Sequence, residues 1–141
     1  MRMSKPPVAV DLDDEDLADP EELVGDIQLH GSGAEICAES VYLDSWLVGL
    51  GEGLEVVKRG QPCEVELLEE AYPLRFQPSG GGFILSFRDL SAYFPSISEF
   101  EASLALAASE VLQRLAGLNV FRETQSMHAL EALASRQGRK A

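Results

Sequence analysis

Between Cys63 and Phe94 three runs of alternating apolar and polar residues follow one another with turn chemistry between them, and this stretch limits the possible folds more than any other. Cys63, Val65 and Leu67 alternate with Glu64 and Glu66, then Leu74 and Phe76 with Arg75 and Gln77. Phe83, Leu85 and Phe87 alternate with Ile84, Ser86 and Arg88, Ile84 being the apolar exception. A period of two sends one set to a buried face and the other to water, as in half-exposed antiparallel strands. Pairing Leu68 with Pro73 sets Val65 beside Phe76, Leu67 beside Leu74 and Glu66 beside Arg75, matching buried with buried and acid with base. Pro73 lacks a ladder donor and falls at the hairpin end. Pro78-Ser79-Gly80-Gly81-Gly82 reads as a hairpin loop, and a short strand over Ala92 to Phe94 follows Asp89.

A meander of this kind needs cover for its apolar face, and the flanking segments have helical spacing. Trp46, Leu47, Leu50, Leu54 and Val57 recur at steps of three and four, with Asp44 as N-cap and Gly60 as terminator. Gly49, Gly51 and Gly53 each disfavour that helix by about 1 kcal/mol relative to alanine, so close packing of bare backbone against a sheet is expected in preference to a break. Ser96 and Glu99 form a capping box, and Ile97, Phe100, Leu104, Ala107, Val111, Leu115 and Leu118 then fall on one stripe. A weaker helix over Thr124 to Ser135 carries Met127, Leu130 and Leu133. Upstream, Ile27 and Leu29 form one short strand and Ala34 to Val41 a second, joined by Gly31-Ser32-Gly33. The expectation is an α+β fold: an antiparallel sheet of about four to six strands, two main helices on one face and a short C-terminal helix.

The chain of 141 residues suits one domain. Its net charge of -13 is unevenly spread: 2 basic and 9 acidic residues over 1–26, 5 and 13 over 27–119, and 4 and 2 over 120–141. Residues 1–25, with Pro6, Pro7 and the acidic run from Asp11 to Glu22, read as a flexible tail, 26–135 as the single domain, and 136–141 as a basic tail. Val8, Val10, Leu12, Leu17, Leu23 and Val24 give that first tail a means of docking on a partner. Such acidity disfavours nucleic acid and anionic membrane, which need clustered Lys and Arg, and favours a basic protein partner. Cys37 and Cys63 read as free thiols, no apolar run approaches a membrane span, and no leader pattern is present, so a cytoplasmic location is expected.

No motif for chemistry stands out. Gly31-Ser32-Gly33 lacks the third glycine of a dinucleotide loop, having Ile36 there, and is not a nucleophile elbow. His30, Cys37, Cys63 and His128 have no chelating spacing, so no metal, cofactor or catalytic residue is assigned. The pairs Glu35 with Glu39, Glu64 with Glu66 and Glu69 with Glu70 read as solvated. Tyr42, Tyr72 and Tyr93 lie near element ends, where tyrosine beside acid suits a binding rim.

The run Tyr42-Leu-Asp-Ser-Trp46-Leu, then Gly-Leu54-Glu and Gly60, the acidic Glu64-Val-Glu-Leu-Leu-Glu-Glu70, Pro73-Leu-Arg-Phe76 and Gly-Gly-Phe83-Ile-Leu-Ser-Phe87 resembles small bacterial proteins of the immunity type, from toxin and immunity pairs. The likeness spans roughly residues 40 to 115, its motifs are structural, and it assigns no functional residue. It implies a toxin-neutralising or accessory protein. The reading is therefore a non-enzymatic module that binds a basic protein, with Glu64, Glu66, Glu69, Glu70 and Tyr72 carrying recognition. Two alternatives stand beside it: a structural component acting as a homodimer, through a sheet edge or the helix beginning at Ser96, and a small enzyme or ligand binder with a pocket near Trp46.

Overall fold

The structure is a computed structural model, and it describes residues 6–12, 24–67, 70–117 and 125–135. Three strands, β1 (Val8–Asp11), β2 (Val24–His30) and β3 (Glu35–Tyr42), form one antiparallel sheet in the order β1-β2-β3. Helix α1 (Leu43–Lys58) leads to a four-stranded meander of β4 (Cys63–Val65), β5 (Leu74–Ser79), β6 (Gly82–Phe87) and β7 (Leu90–Phe94). Helices α2 (Ile97–Gly117) and α3 (Gln125–Ser135) complete the order. The fold is α+β with antiparallel sheets, as expected, but the strands divide into two sheets instead of one. The sheets meet at the tip of the β2–β3 hairpin, where Ser32 and Tyr93 exchange backbone hydrogen bonds of 2.8 and 2.9 Å. A Cβ on Gly31 would lie 2.8 Å from the Tyr93 carbonyl oxygen, so bare backbone is what lets the hairpin reach β7.

Helix α1 packs on both sheets, and it is continuous through its glycines. A Cβ at Gly53 would lie 2.2 Å from the Phe76 ring, and one at Gly49 would lie 2.9 Å from Leu67 Cδ2. Close packing thus explains both residues. Asp44 is not the N-cap: β3 runs straight into α1, the extended Tyr42 occupies the cap position, and the Asp44 carboxylate accepts from the Ser45 N–H at 2.9 Å. Gly60, at φ +77°, ends the helix.

The meander keeps the expected faces but not the expected register. Cys63 pairs with Phe76, Glu64 with Arg75 and Val65 with Leu74, a slip of two residues from the pairing drawn from sequence. The physical cause is Leu67. Instead of sitting over Leu74 it drops into the core against α1 at Gly49, and its carbonyl accepts from the Glu70 N–H at 3.2 Å. An even slip leaves every side chain on its original face. Between β5 and β6 the loop is tighter than expected, a two-residue turn at Gly80 and Gly81, both with positive φ. Strand β7 begins at Leu90, two residues before the expected start.

Helix α2 starts as its cap predicts, with Ser96 Oγ accepting from the Glu99 N–H at 3.1 Å. Phe100, Leu104, Ala107, Val111 and Leu115 are buried, while Leu118 lies outside the described residues. Phe100 joins an aromatic cluster, edge-on to Phe83 at 5.1 Å and to Phe94 at 4.8 Å. Trp46 stands edge-on to Phe87 at 4.9 Å. Leu130 and Leu133 bury the inner side of α3.

Part of the stretch read as a flexible tail is instead sheet. Val8–Asp11 pair with β2, Val8 opposite Leu29 and Asp11 opposite Asp26. Ser103 of α2, buried, accepts from the Val8 N–H and donates to the Val8 carbonyl, both at 2.9 Å. Val8, Val10 and Leu12 therefore dock on the chain's own core. Residues 13–23 and the basic stretch 136–141 lie outside the described residues. No helix among the described residues is long and apolar enough to cross a membrane.

Candidate protein-binding surface

The β4–β5 hairpin turns Glu64 and Glu66 outward and Phe76 and Leu85 inward, with Val65 half-buried. Its acidity is offset in place at Glu64 and Glu70. Arg75 Nε lies 3.0 Å from Glu64 Oε2, both side chains being exposed, so the pair adds little stability yet removes net charge. Glu70 is mostly covered, and Arg88 Nη2 lies 3.8 Å from its carboxylate. The Arg88 guanidinium also sits over the Tyr72 ring at 5.6 Å and over Phe87 at 5.3 Å. Tyr72 remains 53% exposed, and Glu69 lies outside the described residues. Tyr42 and Tyr93 are half-buried at the β3–α1 joint and in β7, the Tyr93 hydroxyl donating to the Ser79 carbonyl at 3.5 Å.

The outward face of the three-stranded sheet is different. Asp11 faces Asp26 across β1 and β2, His30 faces Glu35 across β2 and β3, and Glu39 lies further along β3. No Lys or Arg occurs in these three strands. The imbalance is wider in the chain: between Lys5 and Lys58 there are fourteen Asp and Glu and no Lys or Arg. A bulge at Ser40, φ +54°, is held by the Asp26 carboxylate, which accepts the Ser40 N–H at 2.9 Å. His30 Nδ1 is buried and approaches the Glu35 carboxylate without hydrogen-bond geometry. Asp11, Asp26, Glu35 and Glu39 were not singled out together from sequence. The signal was present in the period of two through β2 and β3 and in the long absence of cations, but the contribution of Asp11 depends on β1 joining the sheet.

Two surface grooves adjoin these features. One, of 680 Å³, runs between the β2–β3 hairpin and the β7–α2 junction, with His30 and Glu35 on one wall, Tyr93 and Glu99 on the other, and Pro6 and Pro7 along its rim. The other, of 360 Å³, is a shallow depression over Cys63, Glu64, Arg75 and Gln77. Trp46 lines neither; it is fully buried, and its Nε1 has no hydrogen-bond partner among the described residues. Burial pushes the Cys63 thiol up from its ordinary pKa, partly opposed by the nearby Arg59 charge. Cys37 is exposed on the acidic face with its Sγ 3.9 Å from a Glu35 oxygen. Among the described residues no three His, Cys, Asp or Glu side chains are grouped to hold a metal ion. Gly31-Ser32-Gly33 acts as the clasp between sheets.

The fold and face together describe a small α+β protein with one sheet whose strands carry Asp and Glu but no Lys or Arg. No protein-family model matches the chain, and neither a curated protein nor a solved structure matches it.

Proposed function

We propose that this protein is a non-enzymatic binding module that holds and neutralises a basic protein partner, in the manner of the immunity member of a toxin and immunity pair. The partner docks on the outward face of the three-stranded sheet. One observation carries the reading: Asp11, Asp26, Glu35 and Glu39 share that face, and no Lys or Arg in its strands offsets them. A field of one sign over a regular, backbone-fixed surface speeds encounter with a cation-rich partner and rejects acidic ones. The β4–β5 hairpin, where Arg75 and Arg88 offset Glu64 and Glu70, is the weaker docking surface. Self-association through the acidic face would set like charges against one another, which opposes a homodimer there.

The test is association kinetics with the basic protein recovered by the immobilised chain. The on-rate is expected to fall steeply as salt is raised, and D11N/D26N/E39Q to lower it by about tenfold at low salt. An on-rate indifferent to both salt and these substitutions would remove the reading.

A further inference from the structure

Resting on the docking face just described, we propose that the groove between the β2–β3 hairpin and the start of α2 receives an arginine side chain of the basic partner, and is the anchor point of that interface. The groove measures 680 Å³, within the range of about 300–1,000 Å³ usual for ligand sites. It has room for one long side chain and part of its flanking backbone. Glu35 and Glu99 bring carboxylates to it from different elements, the β3 strand and the first turn of α2, and no Lys or Arg among the described residues lines it. The remaining lining includes Pro7, Tyr93 and Pro95, with Tyr93 bonded to the hairpin through its backbone. A planar, weakly hydrated guanidinium suits such a site better than a compact ammonium, because its forked N–H groups can pair with carboxylates from two elements at once.

The site is also continuous with the acidic face, since Glu35 belongs to both. His30 Nδ1 approaches the Glu35 carboxylate beside the groove. The Ser32–Tyr93 backbone bonds tie one wall to the other. Walls fixed before binding reduce the ordering that capture of a side chain requires.

The experiment is amide-resolved NMR on the full chain, titrated with N-acetyl-arginine-N-methylamide and, in parallel, with its lysine and citrulline counterparts. Saturable shifts confined to amides near residues 30–35 and 93–99 are expected with the arginine probe. They should be weaker by about tenfold with lysine and absent with neutral citrulline. E35Q/E99Q should abolish them while leaving the spectrum elsewhere unchanged. No saturable shifts with arginine, or equal shifts with citrulline, would overturn the assignment, and this comparison needs no variant to fold. Shifts that emerge only after residues 1–5 are removed would overturn it too, because Arg2 or Lys5 of the chain itself would then be the occupant. Loss of partner capture in D11N/D26N/E39Q with no arginine response would sink the anchor and leave the docking face standing. Unchanged capture in that variant would instead sink the docking face itself.

Discussion

At the scale of single residues, two side chains show how packing decides the sign of a substitution. Ser103 is a polar residue on the buried stripe of α2, and its hydroxyl serves both backbone groups of Val8. Replacing it with alanine leaves a buried N–H and a buried carbonyl without partners, a loss of about 1–3 kcal/mol. S103A should therefore lower the urea midpoint, and hydrogen exchange should report the loss of protection first in β1. Gly53 presents the opposite case. Helix propensity alone favours G53A by about 1 kcal/mol, but the added Cβ would meet three atoms of the fully buried Phe76 ring at 2.2–2.5 Å. Overpacking of this kind costs about 1–3 kcal/mol, so G53A is expected to be net destabilising. In G53A/F76L the two losses should be less than additive in denaturant unfolding, because the smaller side chain relieves the contact.

At the scale of elements, the strands and helices whose own residues define them were legible. The Ser96 cap and the stripe behind it specify α2, and the period of two specifies β5 and β6. The start of α1 was misread because Asp44 has the right chemistry for a cap, whereas the helix begins at Leu43, with Tyr42 at the cap and Asp44 inside the first turn. The β4–β5 register was misread because acid and base match equally well at either pairing: Arg75 accepts Glu64 or Glu66 as partner. Only the place found by Leu67 against Gly49 separates them. This arrangement half-covers Cys63 and leaves Cys37 open on β3. Cys37 is expected to react first with iodoacetamide, followed by mass spectrometry of the intact chain, with Cys63 lagging and the gap closing as pH rises. Burial disfavours the Cys63 thiolate, so folding holds its proton. The stability this contributes is in place below the ordinary thiol pKa and is lost as pH rises through the raised folded value. C63A should flatten that alkaline loss in pH-dependent thermal unfolding.

At the scale of the whole molecule, net charge and the placement of charge act together against stability. A chain at -13 repels itself, and the acidic face concentrates part of that repulsion where four carboxylates share one sheet. Added salt should raise the melting temperature at low ionic strength, and E39K should raise it further by relieving like-charge contacts, by roughly 0.5 kcal/mol or less for an exposed site. The same substitution should weaken capture of the basic partner. A variant that is both more stable and an equal binder would speak against the face as the docking surface. The sequence by itself determined which residues go inside and which elements form, because the periods of two and 3.6 and the helix cap at Ser96 are written in neighbouring positions. The tertiary structure alone decided that β1 joins the sheet, that the strands split into two sheets clasped at Ser32 and Tyr93, and that Asp11, Asp26, Glu35 and Glu39 come to share a surface. Those outcomes depend on contacts between segments far apart in the chain, Val8 on Ser103 and Ser32 on Tyr93. A local pattern, unchanged by an even slip in register, carries no information about them.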